Sequence, residues 1–156
     1  MEDERPVIVS EMTWDDPAPF RWCISRMLAL SESDRESFLI VSAGDVFIQL
    51  AARCMARTIH CEAVSGRFLP AHVGFRGEHA RALTALGFGP PVAPGIKGCP
   101  NFYRPVEMTN EGSMDDLVML MRMVMLGVYG CANEVPVKLE LHMNAWAIGA
   151  DEVTQA

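Results

Sequence analysis

The chain has 156 residues, 50% hydrophobic and 21% charged, with a formal net charge of −7. That balance suits one globular domain spanning residues 1–156 and excludes a disordered polyelectrolyte. Basic residues such as Arg53, Arg57, Arg67, Arg76 and Arg81 stand singly, which argues against nucleic acid as a partner, and no run of about 18 apolar residues exists to span a membrane.

In chain order, Pro6-Val7-Ile8-Val9 has the composition of a short strand. Asp15-Asp16-Pro17 reads as a helix entry, a carboxylate cap followed by proline at the first helical position. Phe20, Cys23, Ile24, Met27 and Leu28 then recur on one helical face, and Ser31-Glu32-Ser33-Asp34 ends that helix in a polar turn.

Three strand candidates follow. Phe38–Val41 leads through Ala43-Gly44-Asp45, a tight hairpin signal, into Val46–Arg53, and Thr58–Ser65 comes next. Alternation sorts them into faces. Val46, Ile48, Leu50 and Ala52 point one way with Ile59, Cys61 and Ala63, which is a core face. Phe47, Gln49, Ala51 and Arg53 point the other way with Thr58, His60, Glu62 and Val64. This second face is mixed, as a surface that meets solvent or a partner is mixed.

A short helix is predicted over Gly77–Leu86 with Ala80, Leu83 and Leu86 inward, Gly87 as its left-handed cap and Phe88 folded back on the last turn. Residues 90–100 form a proline-rich loop, and Asn101–Glu107 reads as a strand that Pro105 places at a sheet edge. The last helix is announced by Ser113 with Asp116 three residues on, a capping-box pattern. Met114, Leu117, Val118, Met121, Val124, Met125 and Val128 mark one side of it, while Met119, Leu120, Met123 and Leu126 make the opposite side apolar too, with Arg122 the one polar residue there. Such a helix must be covered on both sides, either by its own core or, at Met119, Leu120, Met123 and Leu126, by a second subunit. Val137, Leu139, Leu141 and Met143 alternate with Lys138, Glu140 and His142 in a final strand, and a tail follows Trp146.

Reactive groups do not converge. His60-Cys61-Glu62 has the His-x-Glu spacing of zinc deaminases, but the companion Pro-Cys-x-x-Cys is reduced to Gly98-Cys99-Pro100. On a strand Cys61 points away from His60 and Glu62, so the three do not ligate one ion, and no metal or cofactor is expected. Cys99, in a loop that His72 or His79 could approach, keeps open a metal-dependent or cysteine enzyme centred on His60, Glu62 and Cys99. The methionines 119, 121, 123 and 125 point in different directions on a helix, and packing explains them better than soft-metal binding. Five cysteines without a CxxC pair read as reduced thiols, and the acidic start Met1-Glu2-Asp3-Glu4 is the reverse of a secretory signal, so the expected location is cytoplasmic.

The order helix, three strands, helix, strand, helix carries several local patterns: Val46-Phe47-Ile48-Gln49, Glu62-Ala63-Val64-Ser65 with Phe68-Leu69-Pro70, Leu86-Gly87-Phe88 and Asn101-Phe102-Tyr103-Arg104. Together these resemble the TY-Chap domains, a branch of the type III secretion chaperone-like fold that includes YbjN-type proteins, over residues 18–130. The resemblance implies an α+β domain whose twisted antiparallel sheet packs against helices. It also implies an acidic cytoplasmic homodimer that holds a polypeptide client in a non-globular state and catalyses nothing. The client surface expected is the mixed sheet face at Phe47, Gln49, Glu62 and Val64, with exposed apolar residues of the helices. Residues 135–156 lie outside the pattern as an extra strand and tail. A structural or regulatory homodimer without chaperone action is the remaining alternative.

Overall fold

Alternation along the strands decides which side of the sheet meets the helices, and the arrangement follows from it. The structure, a computed structural model, describes residues 5–44, 46–53, 57–63, 77–90 and 102–143. Within these run β1 (Val7–Met12), α1 (Ala18–Glu32), β2 (Ser37–Ala43), β3 (Val46–Ala52), β4 (Thr58–Ala63), α2 (Gly77–Ala85), β5 (Phe102–Glu107), α3 (Glu111–Arg122) and β6 (Val137–His142). The strands form one antiparallel sheet in the order β1-β6-β2-β3-β4-β5. The α+β class expected from the sequence is therefore the observed one.

The inner face consists of Leu39, Val41, Val46, Ile48, Leu50, Ala52, Ile59, Cys61 and Ala63, all buried as their spacing predicts. α1 lies on β2 and β3 and places Phe20, Cys23, Ile24 and Met27 in the core without exposure. α3 packs on β5 and α1 through Leu117 and Met121, and Arg21 of α1 donates to Asp115 of α3 at 2.5 Å. Each such apolar side chain contributes ~1.5–3 kcal/mol on full burial.

The C-terminal strand is an interior one. β6 enters between β1 and β2, where Leu139 sits opposite Val9 and Val41, and Leu141 opposite Val7 and Leu39. Both leucines are fully buried. The strand in residues 135–156, expected to be an extra beyond the family pattern, is thus an interior member of the sheet, and β1, longer than Pro6–Val9, becomes the edge.

Local details differ from expectation at three places. No carboxylate caps α1: Pro17 holds the cap position with no side-chain bond. Asp15 instead accepts from the Asn133 amide at 3.1 Å and faces Arg122 at 3.6 Å. α1 also runs on through Ser31, because the buried Ser31 hydroxyl donates to the Arg53 carbonyl at 2.5 Å; Asp34, at φ 61, makes the turn. At α3 the cap is Asn110 and not Ser113. The Asn110 side chain accepts from the Ser113 N–H at 3.1 Å, and the Ser113 hydroxyl accepts from the Asn110 N–H at 3.3 Å. Asparagine caps as well as serine does, so the reciprocal box slides three residues toward the N-terminus.

Two turns conform. Gly44, at φ +60, sits in the two-residue β2–β3 connection between the paired Ala43 and Val46. Gly87, at φ +88, ends α2 as Phe88 N–H bonds back to the Leu83 carbonyl at 3.0 Å and the Phe88 ring is buried. Pro105 does lie on an edge strand.

If β6 is interior, Leu141→Ala lowers unfolding free energy by about 2–5 kcal/mol in urea titrations. Ile8→Ala, at a residue 52% exposed on edge β1, lowers it by under about 0.5 kcal/mol. Equal, small losses at both positions would contradict the strand order.

Candidate functional site

Helix α3 does not stop at Arg122 but widens into π-helical turns over Met123–Val128, in which the Tyr129 N–H reaches five residues back to the Val124 carbonyl at 3.0 Å. Along one side of this long helix Leu117, Met121, Val124 and Met125 enter the core. On the other, Met119 is 54% and Met123 44% exposed. These two, one helical turn apart, form one wall of an apolar groove with Leu126. The facing wall is α2, through Ala82, Ala85 and Leu86. The groove has two lobes that share Ala85, Leu86, Met119 and Met123, each of ≈ 480 Å³, one beside Leu126 and Gly127 and the other toward Gly87, Arg104 and Asp116. Small alanines on one wall and unbranched, polarizable thioethers on the other make a surface that adapts to varied apolar shapes.

Charge at the groove's ends is unequal. Arg122 faces Asp15, and Arg104 turns back to donate to the Leu86 carbonyl at 2.6 Å. Asp116, at the same end as Arg104, has no partner among the described residues.

The outer face of the sheet is the second candidate. One row crosses all six strands: Ile8, Glu140, Ile40, Gln49, Glu62 and Tyr103. Beside it His60 stacks on Tyr103 with ring centroids 5.7 Å apart, and His60 Nδ1 lies 2.5 Å from the Tyr103 hydroxyl. Phe38 and His142 stack at 4.4 Å. Most of this face is half-buried; Ile8 and Tyr103, at its two margins, are exposed. The β5 edge is closed to a further strand near Tyr103. Gly89 exchanges both backbone bonds with Tyr103, at 2.7 and 3.2 Å, and Pro105 has no N–H to offer.

Among the sequence-derived candidates, Phe47, Gln49 and Glu62 share this outer face, with Gln49 directly opposite Glu62. Val64 lies outside the described residues, as does Cys99. Met119, Met123 and the half-buried Leu126 meet at the groove, whereas Leu120, 5% exposed, is buried in the core and reaches the groove only as part of its lining at the Arg104 end. His60 and Glu62 share the outer face while Cys61 points inward. Burial pushes the Cys61 thiol up to about 12 and the Cys23 thiol up to about 11, and raises Cys131 as well, so none of these three is a thiolate nucleophile near neutral pH. Among the described residues no group of three His, Cys, Asp or Glu side chains could hold a metal ion.

Sequence reasoning turned Leu86 inward with Ala80 and Leu83 and missed Ala82 and Ala85; the three residues Ala82, Ala85 and Leu86 follow the i, i+3, i+4 spacing of a second apolar stripe that lines the groove. Tyr103 was missed for a different reason: its place on the sheet depends on the β4–β5 register.

A family model described as T3SS (YopN, CesT) and YbjN peptide-binding chaperone 3, TY-Chap3, matches residues 19–145. No curated protein and no solved structure matches the chain.

His60 gives a pH test of the outer face. Burial, then the Arg53 charge, lowers its proton affinity below the ordinary value of 6.5, against an upward pull from Glu107. The unfolded chain therefore binds the proton first, and stability from His60 is present above that value and lost as pH falls below it. Urea midpoints taken from about pH 8 down to about pH 5.5 should fall further for the wild type than for His60→Gln. A constant difference between the two proteins would contradict a half-buried imidazole whose charged form folding disfavours.

Proposed function

The chain belongs to the TY-Chap3 family, and from that membership we propose that it binds segments of other polypeptides as a chaperone and catalyses no reaction. The observation that carries this reading is the family match over residues 19–145, joined to an open apolar groove in which Met119 and Met123 are exposed. Large side chains that a fold leaves in water on a helix it could have made polar have a use at a binding surface. Client segments lie in this groove, and the outer sheet face at Phe47, Gln49, Glu62 and Tyr103 supplies a wetter, mixed surface for the chain that flanks them.

The homodimer expected from the sequence draws on the same Met119, Met123 and Leu126 surface, without Leu120. A second copy and a client therefore compete for it. Cytoplasmic residence is supported by Cys23, Cys61 and Cys131, which are free thiols.

Reduced, carboxymethylated α-lactalbumin, which cannot refold, serves as a test client. Co-elution with the chain on gel filtration is expected, and the double variant Met119→Glu, Met123→Glu should lose it with an unchanged far-ultraviolet circular dichroism spectrum. Failure of the wild type to retain this client and other unfolded chains, or full retention by the variant, would overturn the proposal.

A further inference from the structure

We infer that the groove between α2 and α3 takes its client as an amphipathic helix, with Lys or Arg residues beside the apolar stripe. This deepens the peptide-binding reading above and rests on it.

The backbone argument comes first. An extended segment leaves its N–H and C=O groups unpaired and must find partners for them once it leaves water. Both walls of the groove are helical, and most of their backbone groups are bonded within their own helices. At the end of α2 the carbonyls of Leu83, Thr84 and Leu86 are already engaged, by Phe88 and Leu86, by Gly87, and by Arg104. A helix brings its own hydrogen bonds with it and presents only side chains, so it fits helical walls with the least backbone left unpaired. The α2 wall has 9 residues, which at about 3.6 residues per turn sets a contact of about two and a half turns.

The charge argument selects among helices. Both guanidinium groups at the groove are turned to partners within the chain, Arg122 to Asp15 and Arg104 to the Leu86 carbonyl, which among the described residues leaves the Asp116 carboxylate as the charge without a partner there. The chain as a whole carries −7. A basic residue next to the client's apolar stripe meets Asp116, whereas an acidic one is repelled locally and at long range. A second copy of this chain, with the same net charge, is the poorer occupant on that ground.

The probe is a fluorescein-labelled peptide of about 14 residues with leucine at helical spacing and lysines flanking the stripe. It is titrated by fluorescence anisotropy beside a scrambled peptide of the same composition and one with Glu for each Lys. Expected are helical circular dichroism on binding, at least ~tenfold weaker binding of both control peptides, a similar loss in Met123→Glu, and a ~threefold loss in Asp116→Asn that disappears in high salt. Equal binding of the scrambled peptide, an extended bound conformation (as strand addition along β1 would give), or affinities unmoved by Met123→Glu would overturn the inference. So would sedimentation showing that Met123→Glu breaks a dimer while peptide affinity stays the same. Should unfolded lactalbumin still be retained when the basic helix is not, the helical inference falls and peptide binding stands; when neither is retained, both fall.

Discussion

The sealing of one sheet face under α1 and α3 is the constraint from which the rest follows. Leu39, Ile48, Leu50, Ile59, Leu139 and Leu141 give the central strands an apolar side, and Phe20, Ile24, Met27, Leu117 and Met121 close it. A sheet covered on one side leaves its other face mixed. A helix whose inner stripe is used up in this way has an outer side that the sheet cannot reach. Met119 and Met123 stand on that outer side, and α2, held by Leu83 in the same core, comes near enough to make them a groove and not a bare patch.

Much of this was legible. Period-two alternation identified the core face of β3 and β4 residue by residue, because a strand buried on one side admits only one register. Helical spacing located α1, α2 and α3, and Gly87-Phe88 marked the end of α2. What sequence could not show was non-local. That β6 lies between β1 and β2 depends on a pairing of Leu139 and Leu141 with residues about a hundred positions away. Leu120 and Met119 are neighbours of the same polarity, and the packing of the helix leaves one buried and the other exposed. The caps of α1 and α3 shifted for local reasons: a proline took one cap position, and Asn110 outcompeted Ser113 at the other.

The groove and the outer face differ in chemistry. The outer face carries Glu62, Gln49, His60 and Glu140, polar groups with cross-strand neighbours. Its β5 margin is shut by Gly89 and Pro105. The groove is apolar beside Leu126 and Gly127 and carries Arg104 and Asp116 at its other end, and its methionines can repack, which under the proposed reading allows binding without a fixed sequence. A chaperone needs that tolerance, since its clients share apolar content more than any motif.

Hydrogen–deuterium exchange, with and without a saturating client, tests most directly whether the helical groove is the working surface. The account predicts slowed exchange confined to residues 80–88 of α2 and its cap and to residues 119–129 of the long helix. Protection concentrated instead on β1 or on the outer strands, with α2 and α3 unchanged, would contradict it.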